Sequence, residues 1–518
     1  MSLRRDLYAP IGVFLVHSVI AYTHGGPVAV PDVTAYLRFA QWPYGGITEF
    51  GSAYFPLYGV LLSAFGSLSG SDLHTAALLV NGGVAALLLW VTVRLATELG
   101  LSRCLVIAIG IFTALMPTMA GASRMAWPEA LLALLITCTY RYLHRSQPTD
   151  LIKAGVCVGF AAGLHPRAAV LVIALIVVAL FGRCVKQILK GLVPALSLVA
   201  LLVFFSSAWP SQRLQAAGET KTDSDWLVSA GGQLLAMAGA TCAIGLIGLV
   251  GALMMFRKLI TKSVNNIAAP FLGLSALLMM LLGGWVLTNG NKSDTLLYGR
   301  YLAPWYLGLT ILGLLLLSER KARVGTVLIS SISILVTMFA VISAASSDDE
   351  PSRVIMTLSL TTVWKIFDQS LVPTVVTISI ISLCSVLIFR SPKRYRYWAP
   401  LVLCICMAFS SSLINNNHLA EVGRIADGQS SVALGLPQST ACVNIDVAST
   451  KPYAKALYGL YLPKTEIRPL DLMGGKPKCG KYIIAGPAFL EKCHSAILLS
   501  MEKRGNWGLW EFKNSDCF

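Results

Sequence analysis

The chain alternates between long apolar runs and short segments that carry its charges, prolines and glycines. Most runs are about as long as a helix needs to cross a hydrocarbon core of roughly 30 Å. They show neither a heptad repeat nor a collagen repeat. The pattern predicts an all-α polytopic membrane protein with about thirteen spans. These are residues 8–24, 77–95, 104–121, 126–142, 151–165, 168–182, 191–209, 228–255, 267–288, 301–317, 324–345, 371–389 and 398–414.

One further apolar run, from Tyr54 to Leu68, is left out of this count. It has only about 15 residues and ends in glycine and serine. If it crossed the bilayer, every later basic loop would change sides. We interpret it as a re-entrant or interfacial element in a first outer loop at residues 25–76.

Composition excludes a water-soluble protein. Hydrophobic residues make up 55% of the 518 residues and charged residues only 13%, whereas soluble domains carry about 25% charged residues. The net charge of +16 could indicate nucleic-acid binding. However, no basic patch interleaved with aromatic residues lies in a polar segment, so the charge is better explained by membrane topology.

The basic residues divide unequally between the two sides of the predicted membrane. Segments on the side of the N-terminus hold twenty Lys and Arg residues and four acidic residues, whereas the opposite loops before residue 415 hold nine and twelve. Because basic loops stay in the cytoplasm, we predict a plasma-membrane protein with a cytoplasmic N-terminus. The first span is expected to be a retained signal anchor, since no small-residue cleavage site follows it.

Residues 1–414 therefore form a predicted transmembrane module, and residues 415–518 form a separate extracytoplasmic domain. About 100 residues suffice for one small α/β domain. Runs at 441–445, 482–485 and 507–512 have the composition of strands, and the stretch from Pro487 to Lys503 has that of a helix.

The tail also contains four cysteines, Cys442, Cys479, Cys493 and Cys517. An even number of cysteines in a small exported domain indicates two disulfides, and three pairings are open. Zinc ligation is the weaker alternative, because the tail has no CxxC pair and little histidine. The disulfide interpretation agrees with a tail outside the cytoplasm.

Three acidic residues near outer span ends are candidates for chemistry. Asp32 follows Pro31 at the start of a short amphipathic helix, where it could equally be a helix N-cap. Glu129 begins the fourth span after Pro128. Glu49, later in the first loop, is a possible additional acid, although a solvated loop position explains it as well.

Two arginines on the same predicted face are candidates for binding an anion. Spans five and six are short, so their turn, with His165 and Arg167, is expected to lie in a recess below the outer surface. Arg300 and Tyr301 begin the tenth span. An arginine fork matches a phosphate, whereas contact with lipid headgroups is the alternative. Outside the cytoplasm there is no nucleotide pool, so an activated group used there would be carried on a membrane lipid as a lipid phosphate.

The order of these motifs resembles the GT-C superfamily of membrane glycosyltransferases, which use polyprenyl-phosphate sugars. The likeness covers about residues 1–320. It rests on Pro31-Asp32 with Tyr36 and Ala40, Tyr54-Phe55-Pro56-Leu57-Tyr58, Asn81, Trp127-Pro128-Glu129, Gly163-Leu164-His165-Pro166-Arg167 and Arg300-Tyr301. The span count and the C-terminal domain are similar to those of actinobacterial arabinofuranosyl- and mannosyltransferases of the cell envelope.

The resemblance implies a catalytic Asp32, a second acid at Glu129, and donor-phosphate contacts from Arg300 and Arg167, with Tyr301 and His165 beside them. Some relatives carry two adjacent acids in the first loop. Only Asp32 is present here, which leaves open whether a divalent cation, Mg²⁺ or Mn²⁺, binds at Asp32 and Glu129. The implied donor is a polyprenyl-phosphate sugar, and the implied acceptor is an envelope glycan, lipid or protein.

Two other functions remain open from the sequence. A transporter or flippase for lipid-linked sugars would also need many spans, but it is expected to carry polar groups on broken helices near the midplane, and the sequence does not indicate them. A scaffold that acts through its tail would not need thirteen spans.

Overall fold

The computed structural model describes residues 7–28, 31–46, 57–205, 225–287, 296–318, 324–344, 354–389, 397–437, 439–450, 454–470 and 479–512. Within these residues, six helices are long and apolar enough to cross a membrane, and several shorter apolar helices accompany them. The six are Gly70–Glu98, Val185–Phe204, Ala268–Leu287, Gly325–Ser343, Leu371–Ile388 and Trp398–Leu434. The protein is thus a multi-pass membrane protein, and the number of thirteen spans stays a prediction.

The α-helices are numbered here in chain order. They are α1 (Tyr8–Tyr22), α2 (Pro31–Gln41), α3 (Leu57–Leu62), α4 (Gly70–Glu98), α5 (Arg103–Leu115), α6 (Pro117–Ala122), α7 (Glu129–Arg145), α8 (Pro148–Ala162), α9 (Ala169–Phe181), α10 (Val185–Phe205), α11 (Asp225–Ala240), α12 (Ile244–Ile260), α13 (Ala268–Leu287), α14 (Ala303–Ser318), α15 (Val324–Ser343), α16 (Thr361–Ile366), α17 (Leu371–Ile388), α18 (Trp398–Leu434), α19 (Ala454–Tyr461) and α20 (Phe489–Lys492).

The chain forms two compact units. The helical unit comprises Met1–Phe14, Gly83–Ala122 and Pro128–Asn416, and the mixed unit comprises Leu15–Gly82, Ser123–Trp127 and Asn417–Phe518. The short helices α2 and α3 of the first loop therefore belong to the same unit as the C-terminal sheet. The predicted domain boundary at residues 414 and 415 lies within α18.

Glycines set the packing of α8 against α10 in the helical unit. A Cβ at Gly155 would lie 2.3 Å from the carbonyl oxygen of Ile188, and one at Gly191 would lie 2.0 Å from that of Ile152. Neither position has room for a side chain. Since lipid tails are as apolar as leucine, close backbone approach of this kind is a main source of helix association in a membrane.

The predicted span at 228–255 is not one helix. It consists of α11 and α12, separated by a turn at Thr241, Cys242 and Ala243, and the last two residues have φ values of 44° and 62°. The Cys404 thiol of α18 donates to the carbonyl oxygen of Ala240 at 3.2 Å. That bond satisfies one of the carbonyls that a helix end leaves unpaired. The sequence does not indicate this break, because no proline or charged residue interrupts the run.

The tail folds around a five-stranded sheet. Its strands are β1 (Cys442–Asp446), β2 (Glu466–Leu470), β3 (Tyr482–Ala485), β4 (Ile497–Met501) and β5 (Gly508–Glu511). The spatial order is β2-β1-β3-β5-β4. β1 pairs in parallel with β2 and β3, and β5 pairs antiparallel with β3 and β4. The predicted small α/β tail is confirmed.

Both faces of this sheet are buried. On one face, Val443, Ile445 and Leu509 pack with Tyr458 of α19. On the other face, Ile483, Trp510 and Phe512 pack with Phe489 of α20. Neighbouring residues of one strand, such as Leu509 and Trp510, serve opposite faces because strand side chains alternate.

Two details of the tail differ from the prediction. The stretch from Pro487 to Lys503 is not one helix, since only Phe489–Lys492 is helical and Ile497–Met501 is strand β4. Partial exposure of Ile497 and Leu498 explains the error, because an edge strand needs no strict apolar alternation. A disulfide joins Cys442 to Cys479, and Cys493 is disulfide-bonded as well. Cys517 lies outside the described residues.

Candidate functional site

Glu129 is the first residue of α7, directly after Pro128. Its side chain is fully buried, with 0% exposure. A carboxylate at the first turn of a helix is favoured by the positive end of the helix dipole. This position alone does not compensate for burying a charge, so the carboxylate needs cationic partners.

Arg167 supplies the first partner. It lies in a 3₁₀ turn, Pro166–Ala168, that connects α8 to α9. His165 fixes this turn, because its Nδ1 accepts the backbone N–H of Arg167 at 3.2 Å. The Nη2 group of Arg167 then donates to Oε2 of Glu129 in a buried ion pair.

Arg300 supplies the second partner from the segment before α14. Its Nε donates to Oε1 of Glu129 at 2.8 Å. The preceding residue must be small, since a Cβ at Gly299 would lie 2.9 Å from the carbonyl oxygen of Thr357. Tyr306 of α14 donates to the carbonyl of Gly299 at 3.3 Å, which ties this segment to the helix that follows.

Tyr301 completes the cluster. The Cζ atom of Arg167 lies 5.1 Å from the centroid of the Tyr301 ring, within the range of a cation–π contact. The Tyr298 ring packs edge-on against the same tyrosine at 5.0 Å. All of the predicted phosphate-site residues, together with Glu129, therefore lie in one part of the helical unit.

The cluster is buried and carries one net positive charge, from two arginines and one glutamate. Side-chain exposures are 4% for Arg167, 8% for Arg300 and 0% for Glu129. The Nε and Nη1 groups of Arg167 have no hydrogen-bond partner among the described residues. Buried guanidinium donors without an acceptor are costly, so the cluster is suited to receive an anion.

The structure describes the other two candidate acids, Asp32 and Glu49, less completely than Glu129. Asp32 is the second residue of α2 in the mixed unit, and its side chain lies outside the described part of the chain, as does all of Glu49. The expected short helix after Pro31 is confirmed as α2. A catalytic role for Asp32 stays a prediction.

Glu129 does not fit the expected role of a metal ligand. Each of its oxygens accepts from an arginine, and a divalent cation beside two guanidinium groups would meet strong repulsion. In the described segments, no group of three or more His, Cys, Asp and Glu side chains could hold a metal ion. A role for a cation at Asp32 stays an expectation.

Further motif residues come together in the mixed unit. Tyr58 of α3 donates to Oδ1 of Asn81 in α4 at 2.8 Å, and Asn81 Nδ2 donates to the carbonyl oxygens of Met125 at 3.2 Å and Trp127 at 3.4 Å. Tyr58 and Asn81 are fully buried. Three of the motifs that carried the resemblance, those with Tyr58, Asn81 and Trp127, are thus joined by direct hydrogen bonds.

Comparison with solved structures shows which fold this is. The chain is similar to ArnT from Cupriavidus metallidurans, solved with undecaprenyl phosphate bound, with a TM-score of 0.53, 13% identity and 98% of both chains covered. It therefore has the GT-C fold, as the sequence predicted. The arabinofuranosyltransferase AftD from Mycobacteria matches with a TM-score of 0.45 and 12% identity, over 99% of this chain and 40% of AftD. No family model matches, nor does any curated protein.

Proposed function

We propose that the protein is an integral membrane glycosyltransferase. In this proposal it transfers a monosaccharide from a polyprenyl-phosphate donor to a cell-envelope glycan, lipid or protein on the extracytoplasmic side of the plasma membrane. The GT-C fold supports the class. The undecaprenyl phosphate bound to ArnT supports the kind of donor.

The buried cluster of Arg167, Arg300 and Glu129 is the observation that carries the proposal. Glu129 holds both guanidinium groups and neutralises only one of them. The open donors of Arg167 offer charge-assisted hydrogen bonds to a phosphate. In this role Glu129 positions the two arginines, and its carboxylate does not exchange protons with the substrate.

Transfer then follows from simple bond changes. The oxygen of an acceptor hydroxyl forms a bond to the anomeric carbon, and the bond between that carbon and the donor phosphate oxygen breaks. The electron pair of the broken bond leaves on the phosphate, whose growing negative charge Arg167 and Arg300 stabilise. Asp32 takes the hydroxyl proton as general base.

The phosphate site can be tested without turnover by measuring binding of undecaprenyl phosphate to the purified protein. Arg167→Lys keeps the charge but removes the guanidinium fork, so we expect affinity to fall by at least about tenfold. Arg103→Lys, at an exposed residue beginning α5, is the matched control. Equal affinities of the wild type and Arg167→Lys would refute the site.

A radiolabelled lipid-sugar transfer assay tests the role of Asp32. Loss of general-base catalysis costs about 10²–10⁴-fold, so Asp32→Asn should lose at least about a hundredfold in rate. Binding of undecaprenyl phosphate should be unchanged. A rate within about tenfold of wild type would remove Asp32 from the mechanism.

A flippase for lipid-linked sugars is the second candidate, and the break between α11 and α12 favours it. Interrupted helices are common in transporters, where they bind substrate near the bilayer midplane. The buried cluster of Arg167, Arg300 and Glu129 would bind the lipid phosphate in a flippase as well as in a glycosyltransferase. Proteoliposomes that move a labelled lipid-linked sugar across the bilayer, with no new glycosidic bond formed, would favour the flippase.

A further inference from the structure

Helix α2 belongs to the mixed unit, and its described part is buried. Every described side chain of this helix, from Val33 to Gln41, is buried, including the polar residues Thr34, Arg38 and Gln41. An 11-residue helix of mixed composition has little stability on its own. Its position is therefore determined by what surrounds it.

Three glycines make the packing around α2 close. A Cβ at Gly59 would lie 2.7 Å from the Phe39 ring, and one at Gly66 would lie 2.0 Å from the carbonyl oxygen of Ala40. These two glycines belong to the first loop itself. The third is Gly459 in the middle of α19, which comes from the C-terminal tail.

Gly459 lies against the guanidinium group of Arg38. A Cβ at this glycine would lie 2.7 Å from Nη1 and 2.9 Å from Cζ. Arg38 is only 7% exposed, so its guanidinium group has little free space into which it could move. The fit between the two helices depends on the missing side chain.

Two further contacts join α19 to the first loop. Gln41 Nε2, which also donates to the carbonyl oxygen of Leu68 at 3.0 Å within the loop, donates to that of Leu460 at 3.4 Å. The hydroxyl groups of Ser71 and Tyr461 form a hydrogen bond at 2.9 Å. One short helix of the tail thus contacts α2 and the start of α4.

We propose that α19 is a positioning element for α2, and that Gly459 is the residue through which the tail sets the place of the helix that carries Asp32. The inference rests on the proposed function, because it concerns the rate of the reaction in which Asp32 would act. It assigns to the tail a part in catalysis without any contact between tail residues and the substrate.

The physical basis is the sensitivity of catalysis to geometry. A displacement of about 1 Å in a reacting group can cost about a hundredfold in rate. A larger residue at position 459 must move either Arg38 or α19. Either movement shifts α2, so the turnover number should change while donor affinity should not, since the proposed phosphate ligands Arg167 and Arg300 belong to the helical unit.

The test is a double-mutant cycle on the full-length protein. Gly459→Val should lower kcat for sugar transfer by at least about tenfold and leave the affinity for undecaprenyl phosphate unchanged. Arg38→Ala should have a smaller effect. Because it removes the group that the valine would displace, the double variant should be no slower than Arg38→Ala alone. Gly480→Val, at a tail glycine with nothing within 4 Å of its Cβ position, is the control.

Hydrogen exchange of the α2 amides is the second measurement. Exchange should be faster in Gly459→Val than in wild type, and the double variant should restore it to the level of Arg38→Ala. Effects that simply add in the cycle, or unchanged exchange in Gly459→Val, would overturn the inference. A wild type without transfer activity would instead refute the proposed function, and exchange would still decide whether α19 positions α2.

Discussion

Tyr58 and Asn81 form a fully buried hydrogen bond of 2.8 Å between α3 and α4. The amide of Asn81 then extends the contact to the backbone of Met125 and Trp127. Three segments that are distant in sequence are therefore joined by one asparagine. Buried polar networks of this kind are costly to break, because each lost partner leaves a desolvated group behind.

The first prediction concerns this network. Tyr58→Phe should destabilise the protein by about 1 kcal/mol, the net contribution of one buried hydrogen bond. Asn81→Leu should cost more, because it leaves the Tyr58 hydroxyl and two carbonyls without their donor or acceptor. Thermal unfolding in detergent measures both. Tyr22→Phe, at a largely exposed ring, is the control, and an equal loss in all three variants would contradict the role of Asn81.

The second prediction concerns Glu129. Glu129→Gln removes the charge that holds two buried guanidinium groups, so unfolding should become easier by about 3–5 kcal/mol. Glu421→Gln breaks an exposed pair with Arg424 and should cost less than about 1 kcal/mol. Thermal unfolding of the two variants measures both losses in stability. Similar losses in stability would contradict the burial of the ion pairs that Glu129 forms.

The third prediction separates the ring of Tyr301 from its hydroxyl group. Tyr301→Phe keeps the aromatic face over Arg167 and should bind undecaprenyl phosphate like the wild type. Tyr301→Leu loses the cation–π contact, worth about 0.5–2 kcal/mol, and should bind several-fold more weakly. Titration of the lipid against both variants measures this. If the phenylalanine variant is the weaker binder, the hydroxyl and not the ring is what matters.

The fourth prediction concerns pH and His24, in the segment after α1. Its Nε2 lies 2.8 Å from the hydroxyl oxygen of Thr75, and its Nδ1 lies 2.8 Å from the backbone nitrogen and 2.7 Å from the carbonyl oxygen of Gly26. Burial lowers the pKa of the imidazole below the usual 6.5.

A lowered pKa in the folded state means that the unfolded chain binds the proton more readily. The stability that His24 contributes is then present above about pH 6.5 and is lost as the pH falls below it. The unfolding temperature of the wild type should drop between about pH 7.5 and about pH 5.5 by more than that of His24→Gln. Equal slopes in the two proteins would contradict this assignment.

The sequence predicted the parts of the fold that depend on local pattern. Strands β1, β3 and β5 were found because short β-branched and aromatic runs favour extended structure. It could not predict the turn at Cys242 and Ala243, because the surrounding run contains no proline or charged residue that would signal a helix end. The β4 edge strand was assigned to a helix for a related reason, since it lacks regular alternation.

The candidate site, like the fold, could be predicted from the sequence only in part. Charge and position identified Glu129, Arg167 and Arg300 one by one. Their direct pairing could not be read from the sequence, because it joins residues 38 and 171 positions apart. The role of Gly299 was missed as well, since only the position of Thr357 shows that no side chain fits there.

The bridge between Cys442 and Cys479 has a practical meaning for producing this protein. Thiols stay reduced where glutathione and thioredoxin act, and they pair where dedicated oxidants are present. With the tail outside the cytoplasm, as in the proposed topology, the first strand of the sheet is anchored only after export. Host strains deficient in periplasmic oxidants should yield a tail that is readily clipped by proteases.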